Sequence, residues 1–275
     1  MIGQITKIVS NQYTVNSNGK TYLCNSRGKF RRDGITPMVG DYVEFDNINN
    51  YILNIKTRKN TLIRPMVSNI DQGLIVTSVQ IPEFSSILLD KLIVLMEINK
   101  VIPIICITKM DLLNDREKEE IYKYVDYYKS IGYKVLFNDD IENIKTIFKN
   151  KVTVFTGQTG AGKSRLLNSL NPNLNFEVGE VSLALGRGRH TTRHIELVEM
   201  YDGKVLDTPG FSALEFNNIS KETIRDSFIE FKKYPCKYKD CMHLDEEECI
   251  IKKKVEDGTI LRSRYLNYKK IINSR

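Results

Sequence analysis

The sequence predicts a multidomain chain: an N-terminal β-barrel of the OB type, a central α/β domain built around a phosphate-binding loop, and a C-terminal helical zinc-binding module. Three observations predict it. Five short runs that read as strands fill residues 3–56, the octapeptide Gly157-Gln158-Thr159-Gly160-Ala161-Gly162-Lys163-Ser164 fits G-x-x-x-x-G-K-[ST], and Cys236, Cys241, His243 and Cys249 lie within one short segment.

Composition sets the frame for these elements. A length of 275 residues suggests about two domains of ordinary size with a real core. The most apolar run, residues 87–108, carries Asp90, Lys91, Glu97, Lys100 and Pro103, so it reads as a helix followed by a strand and not as a membrane span. Residues 1–10 lack the apolar core of a signal peptide, and a cytosolic, membrane-free location is expected. The net charge of +7 is uneven: residues 1–65 hold ten Lys/Arg against four Asp/Glu, residues 66–215 hold 17 against 20, and residues 216–275 hold 14 against 10. Basic ends around a near-neutral centre suit modules that meet a polyanion such as RNA, with a merely solvated surface as the plain alternative.

In the first module the strands read as residues 3–9, 12–15, 20–24, 41–46 and 51–56, separated by Asn, Gly and Asp. A five-stranded barrel of this size fits the OB-fold, which commonly binds nucleic acid. Between the third and fourth strands, Arg27, Lys29, Arg31 and Arg32 surround Phe30. Two readings stay open here: phosphate contacts with Phe30 stacked on a base, or a solvated loop with Phe30 packed inward.

From residue 61 the pattern alternates. Strands are expected at 73–79, 101–108 and 133–137, and helices at 86–99, 114–131 and 141–148, which implies a parallel sheet with crossover helices. A β-rich run at 151–156 precedes the phosphate loop and a helix follows it, so backbone amides and a helix N-terminus converge on one point. In that setting Lys163 reaches the β/γ-phosphates and the Ser164 hydroxyl meets Mg²⁺. Residues 177–194 show little apolar periodicity and read as a long loop; a hairpin around Asp202-Gly203 comes next. Past Phe216 a helix carries Ile224, Phe228 and Phe231 on one face after a Ser220 cap, and a basic helix begins near residue 259.

Further segments turn the phosphate loop into a guanine switch. Asp207-Thr208-Pro209-Gly210, at a strand end, matches D-x-x-G: Asp207 falls in the Mg²⁺ shell and the Gly210 amide on the γ-phosphate. Thr192, with Thr191 as close competitor, is the candidate for the threonine that reaches the metal only when the γ-phosphate is present. Thr108-Lys109-Met110-Asp111 resembles the N-K-x-D element, in which a carboxylate accepts two guanine donors that adenine lacks. Thr108 stands where Asn is usual, so a polar contact to the base or to the phosphate loop is expected to change or disappear. No residue of the segment 137–140 can be singled out as closing the pocket. Position 211 is Phe, which cannot orient a water; His190 is the candidate for that role, with His194 or a group from a partner as alternatives. Because the guanine element precedes the phosphate loop, the GTPase domain is circularly permuted, an arrangement compatible with a sheet whose old termini lie close together.

Cys236-x₄-Cys241-x-His243-x₅-Cys249 supplies three thiolates and one imidazole, which closes a tetrahedral Zn²⁺ site and leaves no open position. The site is therefore expected to be structural. Cys24 and Cys106 read as packed apolar thiols.

A barrel, a permuted GTPase domain and a Cys-Cys-His-Cys module, in that order, resemble the ribosome small-subunit-dependent GTPase A family, RsgA, also called YjeQ or YloQ. The resemblance covers nearly the whole chain and includes Arg64-Pro65, residues 69–72 and residues 186–192. It implies a factor that binds the immature 30S subunit and 16S rRNA late in assembly, with GTP/GDP, Mg²⁺ and one Zn²⁺, and that hydrolyses GTP to leave. A monomer is expected, with modules at 1–64, 65–215 and 216–275. The competing readings are a tRNA-modification-type GTPase, for which no additional catalytic constellation is present, and a noncatalytic RNA-binding scaffold that holds GTP without cleaving it.

Overall fold

Alternating polarity closes the N-terminal barrel. The computed structural model describes residues 1–28, 30, 34–62, 66–172, 195–207 and 216–274, with the Asp207 side chain outside that set. The chain divides into two compact units: Met1–Leu74, Asp140–Thr156 and Gly162–Ser212 form one, and Ile75–Asp139, Gly157–Ala161 and Ala213–Arg275 the other.

In the first unit, strands β1 (Ile2–Val9), β2 (Gln12–Ser17), β3 (Lys20–Ser26), β4 (Tyr42–Asp46) and β5 (Tyr51–Ile55) pair in the closed order β1-β2-β3-β5-β4-β1. Closure leaves no free edge within this five-strand ring. Ile5, Val15, Cys24, Val43, Phe45 and Ile52 fill its interior, and Phe30 joins them at 7% exposure. Of the two readings of Phe30, the inward one holds; Lys29, Arg31 and Arg32 lie outside the described residues. Beside the barrel, the fully buried Asp41 carboxylate accepts from Arg58 Nε (2.7 Å) and Nη2 (2.8 Å), Ser68 Oγ (2.6 Å) and the Met38 amide (2.8 Å). A buried charge satisfied this completely is tolerable, and it fixes the exit from the barrel. Gly40, at φ +95°, is needed there, since a Cβ would stand 2.0 Å from the Ser68 carbonyl oxygen. The two-residue strands β6 (Thr61–Leu62) and β7 (Val67–Ser68) form a short antiparallel pair.

The all-buried β8 (Gln72–Ser78) follows, and its last four residues begin the second unit. There α1 (Ser86–Ile98), β9 (Ile102–Thr108), α2 (Asp115–Ile131) and β10 (Lys134–Phe137) succeed one another, with β9 and β10 parallel from Ile104↔Lys134 to Ile107↔Phe137. A capping box between Asn114 and Glu117 starts α2, and Gly132, at φ +115°, ends it. The first unit resumes with α3 (Ile141–Thr146), β11 (Val152–Gly157), α4 (Lys163–Leu170) and the hairpin β12 (Glu196–Met200) and β13 (Gly203–Asp207). β11 runs parallel to β13, and β12 meets the barrel strand β1 at Glu196↔Lys7. Lys7 Nζ contacts Glu196 Oε2 at 2.5 Å, and Lys204 Nζ donates to the buried Gln4 Oε1 at 2.7 Å. The barrel and the hairpin that ends in Asp207 are therefore hydrogen-bonded to each other.

The C-terminal module comprises α5 (Lys221–Asp226), a 3₁₀ turn (Ile229–Lys233), α6 (Ile250–Glu256) and α7 (Arg262–Asn273). Ser220 caps α5 as expected, but the anticipated helix through Phe231 breaks after Asp226. The Ser227 hydroxyl donates back to the Thr223 carbonyl at 2.7 Å, and Phe228 leaves at ψ 84° to stack on Phe231, 5.3 Å between centroids. Ile224, Phe228, Phe231, Tyr268 and Ile271 form its core together with Val94 and Leu95 of α1.

Candidate nucleotide site and metal centre

β11 delivers the phosphate loop and α4 receives it. Gly157 (φ +136°), Gly160 (φ +79°) and Gly162 (φ +95°) adopt conformations open to glycine, and a Cβ on Gly157 would stand 1.9 Å from the Val76 carbonyl oxygen. The Ala161 amide donates to the Gln158 carbonyl at 3.1 Å, curling the loop through Thr159. Gly162, the cap residue of α4, has no side chain to offer its N-terminus. The leading amides of α4 and the positive end of its dipole are those an anion would meet. Lys163 and Ser164 open this helix, and burial pushes the Lys163 ammonium below its ordinary range. A phosphate chain would reverse that shift by supplying opposite charge.

The guanine element reaches the same loop. Thr108, 3% exposed at the end of β9, donates from Oγ1 to the Ala161 carbonyl at 2.7 Å. The anticipated loss at this position does not extend to the loop, because a hydroxyl spans the gap. Lys109 takes φ +65°, and its Nζ donates to the Gly160 carbonyl at 3.0 Å and to the Ile81 carbonyl. Met110 and Asp111 begin a 3₁₀ turn, Met110–Leu112, that leaves Asp111 exposed. Asn138 follows β10, its amide on the Ile107 carbonyl at 3.0 Å, at the carboxyl end of the neighbouring strand. Asp207 ends β13, the strand parallel to β11. His190, Thr191, Thr192, His194 and Gly210 lie outside the described residues.

The second cluster is closed. His243 Nδ1 lies 3.5, 3.3 and 3.4 Å from the sulfurs of Cys236, Cys241 and Cys249, and Cys236 and Cys249 sulfurs are 3.8 Å apart. All four ligand atoms fall within 4.8 Å of one another. A tetrahedral zinc with bonds of about 2.3 Å to sulfur and about 2.0 Å to nitrogen requires separations of roughly 3.8 and 3.5 Å, close to the Cys236–Cys249 distance and to the three nitrogen–sulfur distances. Burial pushes the Cys241 thiol up to about 12 and the His243 imidazole down to about 4. Both shifts disfavour charge within the cluster, and a bound dication would offset the cost of holding adjacent buried thiolates.

Sequence reasoning missed the frame around this centre. Glu246 accepts from the amides of Met242 (2.6 Å) and Leu244 (2.8 Å), pinning the turn in which His243 takes φ +58°. Tyr265 Oη donates to the His243 carbonyl at 2.7 Å. Glu246 belongs to the acidic run 245–248, which as sequence reads only as solvated surface. Ile81 and Pro82, which touch Lys109 and Gly160, carry no sequence signal either.

Two family models match this chain: one described as RsgA GTPase over residues 55–217, the other as RsgA N-terminal domain over residues 2–52. The chain belongs to the RsgA GTPase family. A protein of Oceanobacillus iheyensis named "Small ribosomal subunit biogenesis GTPase RsgA 2" is 46% identical over 97% of this chain and 94% of its own length. One from Bacillus velezensis, "Small ribosomal subunit biogenesis GTPase RsgA", is 47% identical over 98% and 96%. Among solved structures, YloQ, described as a circularly permuted GTPase, aligns with TM-score 0.84 and 40% identity over 99% of this chain and 93% of its own. YjeQ from Thermotoga maritima aligns with TM-score 0.87 and 36% identity over 99% and 97%. This RsgA-family chain is accordingly a GTPase with a permuted central domain, and membership implies guanine nucleotides and Mg²⁺. No helix among the described residues is long and apolar enough to cross a membrane.

Proposed function

We propose that this chain is a ribosome-dependent GTPase that binds the 30S subunit through 16S rRNA late in assembly and leaves on hydrolysis. The observation that carries the nucleotide half is the pair of bonds from Thr108 and Lys109 to the Ala161 and Gly160 carbonyls, which join the guanine element to the phosphate loop. The ribosomal half rests on the names of relatives more than 40% identical over almost the full chain. Residues 157–162 cradle the phosphates with their amides, Lys163 neutralises the β/γ-oxygens, and Asp111 selects guanine. Ser164 and Thr192 hold Mg²⁺, with Asp207 in its shell, and the ion supplies charge neutralisation at the transferring phosphate. The Gly210 amide meets the γ-phosphate and His190 orients the attacking water. Cys236, Cys241, His243 and Cys249 hold one structural Zn²⁺. We assign modules at 1–64, 65–215 and 216–275, a monomer and a cytoplasmic location to the same reading.

Without a glutamine at position 211, intrinsic turnover is slow and the subunit supplies what is missing. GTP hydrolysis measured with and without purified 30S subunits is expected to differ by at least about a hundredfold. Equal rates would defeat the ribosome-dependent reading. His190→Ala is expected to lower the stimulated rate while GTP affinity stays unchanged; undiminished turnover would remove His190 from its role.

A further inference from the structure

Asp90, on α1, is fully buried, and its carboxylate accepts from Arg264 Nη1 (2.5 Å), Tyr128 Oη (2.5 Å) and Asn267 Nδ2 (2.7 Å). Arg264, also fully buried, donates from Nε to Glu230 at 2.8 Å, and its guanidinium lies 4.3 Å from the centre of the Phe228 ring. A buried ionic cluster of this kind adds little stability over apolar packing, but displacing one of its elements would leave a buried charge unpaired. The elements fixed here are α1 and α7.

From α7 the contacts continue to the nucleotide pocket. Asn267 Nδ2 also donates to Ser86 Oγ, at the first residue of α1, at 3.1 Å. Just before α1 runs the segment 79–85. Its Val79 amide donates to the Thr108 carbonyl at 3.2 Å, its Ile81 carbonyl accepts from Lys109 Nζ, and its Pro82 ring packs against Gly160. Phe84 meets Tyr124 of α2 edge-on, 4.9 Å between centroids. Where α1 begins therefore decides where these supports of Lys109 and Gly160 stand.

We infer that Asn267 and Arg264 of the C-terminal module are positioning residues for the guanine pocket. They hold α1 in the register that seats the 79–85 segment against Lys109 and the phosphate loop. The inference rests on the reading of residues 108–111 and 157–164 as the nucleotide site. It makes guanine-nucleotide retention depend on a helix that touches no nucleotide.

The test is the dissociation rate of a fluorescent GDP analogue from the full-length protein, chased with unlabelled GDP. Asn267→Ala and Ser86→Ala remove their shared bond from its two ends, and Asn267→Ala also removes the bond to Asp90. Each is therefore expected to speed release by roughly threefold to thirtyfold, Asn267→Ala the more, and the double variant no more than Asn267→Ala. Ile251→Val loosens the core of the same module without touching the path, and its release rate is expected to equal that of the parent. Zinc content, measured by colorimetric release, is expected to be equal in all four. Should Asn267→Ala fail to fold, Ser86→Ala still decides the question. Unchanged rates in the folded variants, or equal acceleration by Ile251→Val, would overturn the inference. A parent protein that shows no preference for guanine over adenine nucleotides would instead defeat the reading of the site.

Discussion

Single residues set the chemistry of the nucleotide site, and two of them give sharp expectations. On the proposed reading the Asp111 carboxylate accepts both guanine donors, whereas Asn would offer one acceptor and an unwanted donor. Asp111→Asn is therefore expected to weaken GTP binding by about a hundredfold and to favour xanthosine triphosphate, whose extra carbonyl suits the amide. Titration calorimetry with both nucleotides checks this, and an unchanged preference would exclude Asp111 from base recognition. Thr108→Val removes the donor to the buried Ala161 carbonyl while keeping the shape, at a cost of about 1–3 kcal/mol. A melting curve with and without GDP reads that cost, with the larger loss expected in the bound form. The candidacy of Asp111 can be read from the sequence because the motif is contiguous. The partner of Thr108 cannot, since nothing in a tetrapeptide reports an oxygen 53 positions away.

At the scale of elements, local chemistry and long-range packing divide the outcome. The α2 cap at Asn114, its stop at Gly132 and the β12–β13 turn follow from a few adjacent residues. The sequence announces the Gly132 stop and the hairpin, but the turn falls at Tyr201-Asp202, both at positive φ, one position before the expected Asp202-Gly203. The break after Asp226 does not follow locally, because it is imposed by Phe228 turning beneath the Arg264 guanidinium. Arg264 is also where an element-level prediction belongs. Burial alone would lower its pKa, but Asp90 and Glu230 overcome that and keep it charged. Arg264→Met by itself strands two buried carboxylates and is expected to cost about 3–5 kcal/mol, whereas Asp90→Leu, Glu230→Leu and Arg264→Met together are expected to cost far less. Urea denaturation of both variants distinguishes them; equal losses would show that side-chain volume, not charge, matters at this junction.

For the molecule as a whole, the proposed metal centre would couple folding to metal content. The module around Cys236, Cys241, His243 and Cys249 has short helices, and its ligand turn is framed by Glu246, Tyr265 and Tyr268. Removal of Zn²⁺ by a strong chelator is expected to lower the melting temperature and expose the three thiols to a colorimetric reagent, with recovery on adding Zn²⁺. Metal-free protein with an unchanged melting curve would overturn a structural role. The order of barrel, permuted GTPase domain and Cys/His module was decided by the sequence alone, because each rests on residues close together in the chain: alternating strands, a glycine loop, a Cys/His spacing. Tertiary structure alone decided that Phe30 turns inward, that Thr108 keeps its hold on the phosphate loop, and that Arg264 and Asn267 reach α1 from the far end of the chain. Those outcomes depend on hydrogen bonds and packing between residues tens to hundreds of positions apart, which no local pattern encodes.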